Sequence, residues 1–383
     1  MLLSACGGQN AGGGNNTGIT PPNLSAPKAD QVDVKNAIVA VSTGVNSVIA
    51  EVQKGVSPQA IAPFASSLLQ NLVATQAALT GNAPALAKPM GQVGSQQTNG
   101  KLPRGVYTCN SSYFTISCTK RGESDDLVYT YTTSAGKVVK VTQDWDSSSL
   151  GTPSATVTVY YPYYGGGLNE GYEAPTKLTQ SVEVDGKKLA QYTLEQKYKL
   201  SRCDKTKYLG TPVESTTLSG FIAREDGSKV LEGEANLTMN DTEYKTAGNV
   251  KASSKTDAFS ARWEGSLKGT TTYDDSTGCT EFGQFSPSSG SAMVNLSGSK
   301  QDFKTNIKAD QFIYGTNSYG TYLNGVKGSA VIEVNGKLVT AEGILRDQDN
   351  DGVPGDEVTL TFANGPTTLE QFLIDNFGMQ PRQ

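Results

Sequence analysis

The sequence predicts a mainly β protein. The expected fold is a large curved antiparallel meander, barrel or half-barrel like, preceded by an N-terminal αα-hairpin and ended by a short C-terminal helix. Three observations carry that expectation. From about Thr179 to Ala363, apolar and polar residues alternate with period two, so each segment has one face to bury and one to wet. Between Lys188 and Leu200, Ala190, Tyr192, Leu194, Tyr198 and Leu200 share one face, and Gln191, Thr193, Glu195, Lys197 and Lys199 the other. Leu231, Gly233, Ala235, Leu237 and Met239 likewise oppose Glu232, Glu234, Asn236 and Thr238, and Phe259, Ala261, Trp263 and Leu267 oppose Ser260, Arg262, Glu264 and Lys268. Second, Asp185-Gly186, Asp226-Gly227 and Asn335-Gly336 separate such segments, and these pairs accept the positive φ angles of a type I′ hairpin turn. Third, 42 Gly and 17 Tyr at 36% hydrophobic content suit a turn-rich β chain better than a helical one.

Taken in order, residues 1–28 open with Leu3-Ser4-Ala5-Cys6, followed by a Gly/Asn-rich run to about Pro22. An aliphatic residue, two small ones and a cysteine resemble the bacterial lipobox, whose cysteine is diacylated and becomes the mature N-terminus. The resemblance implies an acyl anchor on Cys6, the membrane as partner, and a bacterial cell-envelope location, periplasmic or at the cell surface. The basic and apolar regions of the matching signal peptide would lie upstream of Leu3.

Residues 29–82 carry the expected αα-hairpin. Val34, Ile38, Val41, Val45, Val48 and Val52 fall on one stripe of a first helix. Ser57-Pro58 then reads as the N-cap and first residue of a second, with Ile61, Phe64, Leu68, Leu72 and Leu79 on one face. Residues 83–104, rich in Pro, Gly, Gln and Asn, form a linker. The β domain spans 105–366, its first strands shorter and richer in Thr and Tyr. Residues 367–383 hold the last helix, with Leu369, Phe372, Leu373 and Phe377 on one side, and the tail.

About 13 to 15 strands cannot stay in one flat sheet, so the apolar face is expected to curl inward, with helices plugging or covering it. A two-sheet stack is the near competitor. A membrane barrel is disfavoured, because Gly233, Gly248, Gly265 and Thr305 would leave its lipid face thinly apolar.

Composition narrows the chemistry. Histidine is absent, which excludes His general bases, Ser-His-Asp triads and His metal sites. A formal charge of −5 with mixed signs shows no basic stripe for nucleic acid. With Cys6 acylated, Cys109, Cys118, Cys203 and Cys279 remain, an even number for an oxidising compartment. Four cysteines allow three connectivities; Cys109–Cys118 across a hairpin with Cys203–Cys279 is the favoured one. No CxxC pair points to a metal site.

The sharpest motif is Asp347-Gln348-Asp349-Asn350-Asp351-Gly352-Val353-Pro354-Gly355-Asp356-Glu357. It resembles the DxDxDG calcium loops of EF-hands, dockerins and thrombospondin type 3 repeats, in which alternate carboxylates converge on the ion and glycine makes the sharp turn. The resemblance implies calcium held by Asp347, Asp349, Asp351 and the Val353 carbonyl. Position twelve, where such loops carry a bidentate Glu, is Val358, so Asp356 or Glu357 has to substitute. The flanking segments are strands, which makes the loop a hairpin tip.

Two further constellations are candidates. Tyr160, Tyr161, Tyr163 and Tyr164 beside Gly165–Gly167, with Trp145, could form a stacking surface. Asp144 and Asp146 flank Trp145 and could serve a glycan hydrolase. Asp274-Asp275 reads as a solvated turn. The functional expectation is a lipid-anchored cell-envelope protein with a binding or structural role, surface-layer or adhesin-like, whose partner is an envelope protein, a glycan or a lipid. A carrier holding an apolar ligand inside the sheet is the alternative, and a glycan hydrolase the third.

Overall fold

A computed structural model describes residues 19–55, 105–111, 116–133, 136–144, 156–160, 168, 171–254, 257–276, 278–298, 301–317, 320–349 and 351–380. Helix α1 (Gln31–Gly55) comes first. Short strands follow: β1 (Gly105–Ser111), β2 (Ile116–Gly122), β3 (Leu127–Thr132), β4 (Val138–Asp144), β5 (Thr156–Tyr160), β6 (Tyr172–Pro175) and β7 (Lys177–Val184). Longer strands continue as β8 (Lys187–Leu200), β9 (Tyr208–Ala223), β10 (Lys229–Met239), β11 (Glu243–Ser253), β12 (Ala258–Tyr273), β13 (Gly283–Gly298), β14 (Asp302–Asn317) and β15 (Gly320–Val334). The chain ends in β16 (Lys337–Leu345), β17 (Glu357–Phe362), β18 (Gly365–Thr368) and helix α2 (Leu369–Phe377).

From β7 to β18 every strand pairs antiparallel with its successor, a single meander. β4 joins that meander through β7, and β3, β1 and β2 extend it, with β1 and β3 parallel. The β5–β6 hairpin attaches to the start of β9 through Val159 and Tyr160. The sheet is not closed: among the described residues no pairing joins β2 to β18. Of the expected barrel or half-barrel, the closed barrel is therefore corrected to an open sheet.

The expected faces are seen in the middle of β8 and in β10, whereas Leu200, expected on the apolar face, is exposed at the end of β8. In β8 and β9, Ala190, Tyr192, Leu218 and Ile222 are buried on one face. They join Leu127, Val139, Val141, Leu178 and Val182 in one cluster drawn from five adjacent strands, so this half coils with its apolar face inward. Tyr192 lies near enough to Tyr129 to help burial and Tyr131 push the Tyr129 hydroxyl up to about 12. Asp185-Gly186 and Asn335-Gly336 adopt positive φ at both residues, as type I′ requires. Asp226-Gly227 does not. Only Gly227 is left-handed, and Gly227 N–H bonds Arg224 O at 2.9 Å, so this turn is a longer loop closed by a glycine.

In the other half the apolar face is covered by helices. One helix precedes the sheet among the described residues; of its predicted stripe, Val34 and Val41 pack on the sheet, whereas Ile38 is exposed and Ala37 is buried in its stead. Val34 and Ala37 are buried with Phe303, Val334, Val339, Leu360 and Phe372. The αα-hairpin is thus not supported; its second helix, 57–80, lies outside the described residues. The segment before α1 is stitched to β16, since Leu338 N–H donates to Pro27 O and Ala29 N–H donates to Leu338 O. Thr368 caps α2 by accepting from Gln371 N–H at 3.1 Å, Gly378 ends it, and Phe372 stacks on Phe362 at 5.4 Å.

Candidate functional site

The acidic loop joins β16 to β17 at a hairpin tip, as the motif predicts. Backbone N–H groups order its carboxylates. Gly352 donates to Asp347 Oδ2 at 2.9 Å, Val353 to Asp351 Oδ1 at 2.7 Å, and Gln348 to Asp356 Oδ2 at 3.0 Å. Gly355 holds a φ of 116°, and a side chain there would run into Leu369, so the loop lies directly against the first residue of α2. Val353 is 2% exposed and pins the loop from inside.

That contact brings in a carboxylate the sequence reading missed. Oxygen atoms of Asp349, Asp351 and Glu370 lie within 4.8 Å of one another, as do those of Asp347, Asp349 and Asp356. Glu370 adds a carboxylate beside Asp349 and Asp351, although it comes from a different element. An acidic residue in the first helical turn was the available signal, because it faces whatever lies beyond the helix N-terminus. Glu357 is turned away: its carboxylate accepts from Arg346 Nε.

The electrostatics fit a cation. Burial, a hydrogen bond with Asp356 and the charges of Asp356, Asp351 and Asp349 push Glu370 up to about 7. Asp349 is raised as well: the Asp351 N–H lowers it, and desolvation with the charges of Asp351, Asp356 and Asp347 outweighs that. Among the described residues, Asp347 Oδ1 is buried with no hydrogen-bond donor. A buried carboxylate oxygen left unpaired is costly, and a hard cation satisfies it. The donors are all oxygens, which suits calcium or magnesium over thiolate- or imidazole-binding metals.

Other predicted residues are placed as follows. Cys203 and Cys279 form a disulfide with Cα atoms 5.7 Å apart. Cys109 is buried and disulfide-bonded, and Cys118 stands directly opposite it in the β1–β2 register. Tyr160 stacks under Lys207 Nζ at 5.0 Å, a contact at a strand end. Cys6, Trp145, Asp146, Tyr161, Tyr163 and Tyr164 lie outside the described residues.

Around the Cys203–Cys279 bridge the structure reveals a network invisible in the pattern. Glu281 is 5% exposed and accepts from Ser201 Oγ–H and from the N–H groups of Arg202 and Cys203. Arg202 lies over the Tyr273 ring at 4.3 Å and grips Asp275, with Nη1 2.7 Å from Oδ1. Asp275 is therefore no merely solvated turn residue. The Arg202 guanidinium and the Thr280 N–H hold its carboxyl down to about 2.

The sheet also carries a groove of about 930 Å³ across β9–β13. Its walls carry hydroxyl, amide and charged side chains of the polar face, together with the apolar surface of Leu237, Ala247 and Met293. Compared with protein-family models, curated proteins and solved structures, the chain has no match.

Proposed function

We propose that this chain is a lipid-anchored cell-envelope protein with a binding or structural role, and that calcium at the β16–β17 tip clips the sheet to α2. The carrying observation is a pair of carboxylate triads that share Asp349, one with Asp347 and Asp356 and the other with Asp351 and Glu370, beside a buried Asp347 oxygen with no hydrogen-bond partner among the described residues. Without an ion these like charges repel, and together with burial they raise the Glu370 carboxyl to about 7, so that it is only partly ionised at neutrality. Calcium would replace the carboxyl proton, satisfy Asp347 and hold two elements together. Its role is to fix geometry, since the loop lies at the tip of a hairpin with no nucleophile in its cluster. The anchor reading rests on Leu3-Ser4-Ala5-Cys6 and the glycine-rich run after it. The polar lining of the groove supports a polar ligand over the apolar-carrier alternative.

Calcium titration of the melting temperature tests the site. A loop assembled from two elements should bind in the weak extracellular range, about 10⁻⁴–10⁻³ M. At about ten times that Kd, the wild type should gain on the order of 1 kcal/mol. Asp349→Asn with Asp351→Asn should abolish the gain and Glu370→Gln should weaken it, whereas Glu357→Gln should keep it. A gain unaltered by the double substitution would reduce the loop to an acidic turn. The anchor is tested with an intact signal peptide supplied. The wild type should partition into detergent and Cys6→Ser should not; equal partitioning of the two refutes acylation.

A further inference from the structure

We propose that the groove across β9–β13 is a binding site for an uncharged oligosaccharide. The inference does not depend on the calcium reading, because the groove and the acidic loop are on different parts of the sheet.

The groove is built by register. Thr217, Asn236, Ala247, Glu264 and Met293 stand side by side on five consecutive strands, and Ser266 and Ser291 pair in the next row. Small residues in the middle of these rows leave a depression, and longer side chains rim it. Its volume, about 930 Å³, is within the range of small-molecule clefts, roughly 300–1,000 Å³.

Three features select the ligand. First, β10 to β12 are paired on both sides along the groove, so their backbone groups are used in the ladder. An extended peptide cannot add there as another strand. Second, the charges come in both signs and neutralise each other locally. Lys245 Nζ is 2.8 Å from Glu243, and Lys251 Nζ is 3.7 Å from Glu232. Such a wall gives no net field to attract a polyanion. Third, the groove offers mixed donors and acceptors already held in place. Thr217 Oγ1–H donates to Asn236 Oδ1 at 2.7 Å, and Asn236 Nδ2–H donates to Glu234 Oε1 at 3.1 Å. A sugar hydroxyl both donates and accepts, so it matches a lining of carboxylates, amides, hydroxyls and a guanidinium.

The floor is stiffened from behind. Trp263 is paired with Gly248, where any Cβ would overlap its indole, and Trp263 Nε1–H donates to Thr246 Oγ1 at 3.3 Å. A rigid floor lowers the ordering cost of binding. None of the described residues lining the groove is aromatic, and Leu237 and Met293 are the bulky apolar residues among them. Without a stacking platform the affinity belongs in the millimolar range, about −4 kcal/mol.

The test is an amide NMR titration of the whole chain with three probes: maltotriose, cellotriose and tri-N-acetylchitotriose. A tetrapeptide, Ser-Asn-Gly-Ser, is the competitor. Each is taken to about ten times a millimolar Kd. At least one trisaccharide should saturably shift the amides of Asn236, Ala247 and Glu264. Ala247→Trp, which fills the groove, should weaken that binding at least tenfold with the melting temperature preserved. Should that variant misfold, Asn236→Leu removes the ordered amide and should weaken binding severalfold. The proposal fails if no trisaccharide shifts these amides, if the folded variants bind as well as the wild type, or if the tetrapeptide binds as tightly as the best sugar.

Discussion

Asp275 and Arg202 show what a residue's neighbours add beyond its sequence context. Two adjacent aspartates in a turn look solvated, yet one of them is held by a guanidinium brought from a loop 73 residues earlier. The folded pKa of Asp275, about 2, lies below its ordinary value of 3.8. The stabilisation from its anion is therefore complete above about pH 4 and is lost as pH falls through 2. Melting temperatures measured between pH 5 and 2 should fall more steeply for wild type than for Arg202→Met or Asp275→Asn. Parallel curves would show that the pair contributes nothing to acid stability. The acidic loop was legible for a related reason: Asp349 meets Asp347 in one cluster and Asp351 in another, and these residues are near neighbours in the chain. Glu370 was not, because only the packing of α2 on Gly355 brings it there.

Elements were legible wherever a local rule dictates them. Period-two alternation placed the meander strands, and two of the three Asp-Gly or Asn-Gly pairs took the expected turn. The partner of an apolar stripe is another matter. The valines of α1 say that one face must be buried but not against what; for Val34 and Val41 the surface is the sheet, with Phe303, Val334 and Val339. The same limit applies to Gly248. In the sequence it is a weak point in a strand, whereas in the sheet it makes room for Trp263. Gly248→Ala puts a methyl group into the indole and against the Glu234 carbonyl. Overpacking of this kind costs about 1–3 kcal/mol. Urea unfolding should show that loss together with a shift in tryptophan emission. A variant as stable as wild type, with unchanged emission, would mean that the contact is loose.

At the scale of the whole molecule, the sheet takes the open one of the two expected forms, barrel or half-barrel, for a reason that composition contains only in part. A one-sided sheet must hide its apolar face, and closing on itself is one way to do so. Here the first half coils over its own core, while α1 and α2 cover the far half. Small residues such as Gly233, Ala235, Gly248 and Gly265 leave less apolar area between them to hide. With both demands met, closure is unnecessary and β2 and β18 remain edges. An open sheet still has to hold its curvature, and the Cys203–Cys279 bridge is placed to do that. It joins the β8–β9 turn to the β12–β13 turn over the intervening strands. The tip of β12 meanwhile crosses the β10–β11 turn, with Gly269 N–H and Thr271 N–H donating to Thr242 O and Asp241 O at 2.9 Å. Lys199, Asp241 and Tyr273 close the same corner, with the Tyr273 hydroxyl 2.8 Å from Asp241. A bridge between residues 76 apart in sequence restricts the unfolded chain strongly, by about 4 kcal/mol in the chain-entropy treatment. Both cysteines are exposed, so mild reductant should reach them without prior unfolding. Replacing the pair by Cys203→Ala with Cys279→Ala should cost up to that amount in guanidinium unfolding. Because the groove depends on the curvature of β9–β13, the same variant should also lose amide shift dispersion along those strands. Full stability and an unchanged spectrum would show that hydrogen bonds and ion pairs at this corner hold the curvature by themselves.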